Sequence, residues 1–132
     1  VKRDLRKVRE RAVTNHELVV DEVRNSLPGW KIEEFNDYPN PPDTVTTCKM
    51  FQRANMIIGP HGAGFANIPC ARPGTPLIEF QKTHGGWDYE ILTLKLGLPY
   101  VGLRMPPSFE MDRLCLREAL RCGLELRKEP NA

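Results

Sequence analysis

Met56-Ile57-Ile58-Gly59 runs without a break into Pro60-His61-Gly62-Ala63-Gly64 and then into Phe65-Ala66-Asn67. A short apolar run bounded by turn residues reads as a buried parallel strand. The stretch that follows reads as a glycine-rich turn and a short helix from Phe65 to Ala71, stopped by Pro73-Gly74. The same alternation fills the rest of the chain. Val1 to Asp4 reads as the end of a strand, followed by a basic loop with Lys2, Arg3, Arg6, Lys7, Arg9 and Arg11. Thr14 or Asn15 can cap a helix to about Ser26, ended by Pro28-Gly29. Trp30 to Phe35 alternates apolar and polar residues, a strand signal. Asp43 or Thr44 opens a second helix through Ala54. Pro76 to Phe80 is a buried strand, Gly86 to Leu96 a helix, Tyr100 to Leu103 a last strand, and Phe109 to about Leu126 a closing helix.

Strands alternating with helices predict an α/β fold with a mostly parallel sheet covered on both faces. The expected architecture is a Rossmann-like three-layer α/β/α domain with a five-stranded sheet in the order 2-1-3-4-5. That order places a switch point between the first and third strands, and ligands bind outside the carboxyl ends of strands at such a point. The basic loop after the first strand and the glycine turn after the third would face each other there.

The chain has 132 residues, with 19 Lys+Arg against 17 Asp+Glu. This length predicts a single domain spanning 1–132. A net charge of +2 argues against nucleic acid as a partner, which calls for a concentrated basic face. No apolar run reaches the roughly 18 residues of a membrane span. The sequence starts at Val1 rather than Met, so the expectation is a piece of a longer chain. Cys48, Cys70, Cys115 and Cys122 form no C-x-x-C pair, which argues against a zinc site. Idle thiols are the expectation, although the four cysteines allow three full disulfide pairings. Cys115 and Cys122 cannot bridge each other, since seven residues of helix separate them by ~10 Å.

The chemistry concentrates at the glycine turn. Gly62 and Gly64 carry no Cβ to keep a ligand from the backbone, and the helix that follows offers unpaired N–H groups to an anion. His61, at the lip, can give a phosphate oxygen a hydrogen bond or a charge. The spacing is neither G-x-G-x-x-G nor a P-loop. Taken alone, such a turn is as compatible with a structural role as with phosphate binding. Glu79 lies on the next strand near the same edge. A buried carboxylate needs a partner. Sugar hydroxyls are one candidate, and an ion pair with Arg72 or Arg104 is the other.

These residues resemble glycosyltransferase family 61. The resemblance rests on Met56 through Asn67 with Gly-Pro-His-Gly-Ala-Gly at its centre, on Pro73-Gly74-Thr75, and on Leu77-Ile78-Glu79-Phe80. Upstream, Arg3 and Arg11-Ala12-Val13-Thr14-Asn15 look like the family's arginine before a loop and its later Arg-x-Ile/Val-x-Asn. Downstream, Tyr89 and Leu96-Gly97-Leu98-Pro99-Tyr100 look like its closing helix and strand. Thr47 stands where the family often has Gln.

The resemblance implies the C-terminal, nucleotide-sugar-binding half of a GT-B glycosyltransferase. The implied reaction is inverting transfer from a nucleotide-diphosphate sugar, a UDP-sugar above all, to a hydroxyl of a glycan or glycoprotein. No cofactor or metal ion is implied. Leaving-group charge would be offset by His61 with Arg3 and the backbone around Gly62, Ala63 and Gly64. Arg11 and Asn67 join the donor-binding set, and Glu79 is assigned to ribose or sugar hydroxyls. The catalytic base would sit in an N-terminal GT-B half, so the isolated fragment is expected to bind weakly and not to turn over. The implied location is the Golgi or endoplasmic reticulum lumen, with a membrane anchor in the full-length protein. The alternatives are a stand-alone nucleotide- or phosphate-binding module without catalysis, and a degenerate interaction fragment.

Overall fold

The structure, a computed structural model, describes residues 13–35, 42–81 and 88–127. In chain order these form α1 (His16–Ser26), α2 (Thr44–Arg53), β1 (Ile57–Pro60), a 3₁₀ helix (Ala63–Cys70), β2 (Leu77–Gln81), α3 (Asp88–Leu96), β3 (Tyr100–Arg104) and α4 (Arg113–Leu126). The strands make one parallel sheet in the order β1-β2-β3, with Gly59 opposite Glu79 and Glu79 opposite Gly102. All three strands therefore end at the same edge, and β1 delivers His61 there.

Side chains alternate between the two faces of a strand, and each face of β2 has its own core. Ile78 and Phe80 pack with Val19, Met105, Leu116 and Leu120, beneath α1 and α4. Leu77 packs with Phe35, Phe51, Phe65, Ile68 and Leu98, beneath α2, the 3₁₀ helix and α3. Burial on both faces explains why β2 reads as a continuous apolar run broken only by Glu79.

Local chemistry sets the helix ends. Asp43 caps α2 by accepting from the Thr46 N–H at 2.7 Å, and Asp112 caps α4 by accepting from the Cys115 N–H at 2.9 Å. The closing helix thus starts at Arg113 rather than Phe109. Asn15 precedes α1 but makes no side-chain cap. Its amide instead donates to the Met111 carbonyl at 2.9 Å and accepts from the Met111 N–H at 2.7 Å, which latches α1 to the segment before α4. Gly97 ends α3 in the left-handed region at φ 71°.

Three of the five predicted strands form the sheet, neighbouring one another in the predicted 3-4-5 sequence. The first, Val1 to Asp4, lies outside the described residues. The second, Trp30 to Phe35, pairs with no strand among the described residues, which form three strands and do not confirm the five-stranded order. Its alternation reflects one-sided burial instead: Phe35 meets Phe51 edge-on at 6.0 Å, while Glu33 pairs with Arg53 and Lys31 at the surface. Half-burial is the property that strand propensity measures, and here it is met without pairing.

The cysteines bring a second correction. Cys48 of α2 and Cys70 at the end of the 3₁₀ helix form a disulfide, with Cα atoms 5.3 Å apart. Cys115 and Cys122 are free.

Candidate functional site

His61 follows the last residue of β1, its backbone N–H donating to the Phe80 carbonyl at 3.1 Å. This bond continues the ladder by one residue and holds the imidazole over the end of β2. There His61 Nδ1 lies 2.9 Å from Glu79 Oε2. The Tyr89 ring, brought by α3, stands 5.1 Å from the imidazole, and Phe65 supports Tyr89 edge-on at 5.5 Å.

Glu79 is fully buried, so its charge must be compensated inside the protein. Oε2 faces His61. Oε1 accepts from the Tyr100 hydroxyl at 2.6 Å and from the Gln81 amide at 3.4 Å. Gln81 Nε2 also donates to the Tyr100 oxygen. Burial first, and then the hydrogen bond and charge of Glu79, push the Tyr100 phenol far above its ordinary value. Tyr100 therefore remains a protonated donor throughout the physiological range.

The ring geometry fixes a direction. A carboxylate only accepts, so Nδ1 carries a proton and donates to Glu79. Nε2 has no protein partner among the described residues, and 24% of the His61 side chain is exposed. It accepts a hydrogen bond when the ring is neutral and donates one when the ring is an imidazolium. The site thus holds a partly exposed imidazole by one nitrogen on a buried acid.

The remaining predicted residues divide. Gly62 is buried and fully extended (φ 159°, ψ 179°), Gly64 is buried, and Ala63 opens the 3₁₀ helix. Asn67 turns inward, donating to the Gly64 carbonyl at 3.0 Å, and so braces the turn. Arg3 and Arg11 lie outside the described residues. Glu79 meets neither of the arginines considered for it. Arg72 instead donates to the Ala54 carbonyl and to Asn55 Oδ1, while Glu79 is bonded to His61, Tyr100 and Gln81.

Residues 1–78 match the family Glycosyltransferase 61, a span that contains the strand, the glycine turn and His61. The chain belongs to glycosyltransferase family 61. Membership makes it part of a glycosyltransferase, with a nucleotide-sugar donor and a glycan acceptor in general terms. No curated protein and no solved structure matches the chain.

Two residues bonded to Glu79 were not singled out from the sequence. Gln81 shares a strand face with Glu79 by simple alternation, a signal available in the sequence. Tyr100 reaches Glu79 only because β3 pairs with β2 in a particular register, which the sequence does not display. A separate cleft of about 630 Å³ runs along β1 between α1 and α2, lined by residues such as Val19, Trp30, Phe51 and Ile57. His61 and Glu79 do not line it.

Proposed function

We infer that the chain is the donor-binding half of an inverting family 61 enzyme that takes a UDP-sugar. One observation carries the reading: a partly exposed imidazole, backed by a buried glutamate, stands where a parallel sheet ends beside a glycine turn. Parallel sheets bind ligands outside their carboxyl ends, and an imidazolium is suited to a diphosphate oxygen.

In the proposed reaction an acceptor hydroxyl oxygen bonds to the anomeric carbon from the face opposite the diphosphate. The bond from that carbon to the diphosphate oxygen breaks, and its electron pair stays on the departing UDP. The hydroxyl proton goes to a base in the other half of the enzyme. His61 stabilises the departing charge through Nε2, with Arg3 and Arg11 as further cations and the backbone at Gly62, Ala63 and Gly64 beside them. On this reading protein groups, rather than a metal ion, carry that role. Glu79, enclosed by protein, serves the donor by holding His61. The acceptor is a glycan or glycoprotein hydroxyl. A lumenal secretory compartment fits the Cys48–Cys70 disulfide, which needs an oxidising environment. No described helix is long and apolar enough to cross a membrane.

Titrating UDP into the chain and following backbone amide resonances tests the assignment. Gly62 to Phe65 shift first and most, and His61→Ala removes the response. Shifts confined to α1 and α4 overturn it. The same chain given a UDP-sugar and a glycan acceptor shows binding without transfer.

A further inference from the structure

The acid behind His61 is itself held by groups that no ligand needs to touch. Glu79 Oε1 takes the Tyr100 hydroxyl at 2.6 Å and the Gln81 amide at 3.4 Å, and Gln81 also donates to the Tyr100 oxygen. The three side chains form a closed triangle around one carboxylate oxygen. Among the described residues the other oxygen meets only His61 Nδ1.

We propose that Tyr100 and Gln81 are positioning residues: by locking Glu79 they fix His61 as the Nδ1–H tautomer and aim Nε2 at the donor diphosphate. This rests on the donor-binding reading given above. Four observations support it. First, a buried carboxylate with a single partner would be free to rotate about its last bond, and two donors on Oε1 remove that freedom. Second, Tyr100 is kept protonated by its burial and by the adjacent carboxylate, so it donates in one direction only. Third, the strand opposite Glu79 is cut away to make room. Gly102 is its register partner, and a Cβ there would come within 3.2 Å of the Gln81 carboxamide. Fourth, Tyr89 stands against the imidazole and is itself braced by Phe65, which limits the ring's own rotation. The choice of partners has a consequence. An arginine on Glu79 would satisfy the carboxylate by itself and leave no need for the histidine. Neutral donors satisfy one oxygen and leave the other to select the protonated nitrogen of His61.

The test uses the 132-residue chain labelled with ¹⁵N at histidine, read at mildly alkaline pH, where an imidazole is ordinarily neutral. The unmodified chain is expected to show His61 as the Nδ1–H tautomer. Tyr100→Phe keeps the ring in the core and removes only the hydroxyl. It is expected to divide His61 between the two tautomers and to raise the UDP dissociation constant by roughly three- to ten-fold. Gln81→Ala, on a half-buried residue, is expected to act in the same direction by about half as much on a logarithmic scale. It also serves as the deciding variant should Tyr100→Phe fail to fold. Unaltered His61 ring resonances in the folded variants overturn the proposal. So does an altered tautomer with UDP affinity unchanged. If the unmodified chain itself ignores UDP, the donor reading falls, and with it the claim about the diphosphate. The tautomer comparison still decides whether Tyr100 and Gln81 position His61.

Discussion

Glu22 and Glu79 are the two carboxylates that the described residues bury, and they are answered in opposite ways. Glu22 sits on α1 and is closed off by fixed charge: Arg117 Nε lies 2.7 Å from one oxygen and Arg113 Nη1 2.8 Å from the other, with Ser26 Oγ at 3.1 Å. Each of these partners belongs to α1 or α4, and the cluster joins those two helices. Glu79 has two neutral donors and one half-buried imidazole whose far nitrogen has no partner among the described residues. The first arrangement finishes a buried charge. The second passes its influence to a partly exposed ring. Burial alone therefore does not distinguish a structural acid from a working one. The distinction lies in whether the partner has a free end.

The surroundings differ in the same sense. The helix after His61 is tied to α2 by Cys48–Cys70, a covalent link closing a sequence separation of 22 residues. The α1–α4 side relies on the Glu22 cluster and the Asn15 latch. Removing the link is the largest perturbation available. Cys48→Ser combined with Cys70→Ser is expected to lower the unfolding free energy by about 3 kcal/mol through restored freedom of the unfolded chain, read from urea denaturation. A thiol reductant should lower the stability of the unmodified chain and leave the double variant unchanged. A reductant that acts equally on both would show that the bond is not the staple.

Next in size is Glu22. Its arginine partners are more than a third exposed, so water screens part of their attraction and the full cost of breaking a buried pair does not apply. Glu22→Gln is expected to cost on the order of 1–3 kcal/mol and to leave UDP binding unchanged. The pH dependence has a definite sign. The hydrogen bond from Arg117, outweighing burial, holds the Glu22 carboxyl down to about 2 from an ordinary 4.5. Between those values the unfolded chain binds the proton more readily, so the Glu22 contribution is complete above about 4.5 and is lost as the pH falls towards about 2. Melting temperature against pH should therefore fall less steeply on the acid side in Glu22→Gln. Parallel curves for the two proteins would assign the acid limb elsewhere.

Glu79→Gln inverts that pattern. It retains the shape but weakens the acceptor for His61 Nδ1. UDP affinity is expected to fall by roughly three- to ten-fold, equivalent to about 1 kcal/mol, with calorimetry as the measurement. A loss of stability with unchanged affinity would make Glu79 a second Glu22 and erase the contrast.

How much of this was legible beforehand follows from the kind of information each feature needs. The central strands were readable because β2 is buried on both faces, which calls for apolar residues at Leu77, Ile78 and Phe80. His61 and Glu79 stood out because each interrupts a local pattern. Trp30 to Phe35 misled because alternation reports one-sided burial, which packing on Phe51 satisfies as well as a ladder does. Tyr100 and the Cys48–Cys70 pairing depend on register and on the approach of α2 to the 3₁₀ helix. Both are relations between segments, and no single segment carries them.

Gly102 offers the smallest and most discriminating change. It faces Glu79 across the sheet, and an added Cβ would lie 3.2 Å from Cδ, Nε2 and Oε1 of Gln81. The obstruction is the end of a flexible side chain, so Gln81 yields and the backbone has no need to move. Alanine also loses less conformational entropy than glycine on entering a strand, a gain of up to about 1 kcal/mol. Gly102→Ala is therefore expected to be neutral or slightly stabilising in thermal unfolding. The displaced carboxamide, however, loses its hold on Glu79 and Tyr100, so UDP affinity is expected to fall about two-fold, a few tenths of a kcal/mol. A variant that gains stability while losing affinity separates the two buried acids more sharply than any deletion, because no substitution around Glu22 should do the same. If Gly102→Ala leaves binding intact, Gln81 is filling space beside Glu79 rather than steering it.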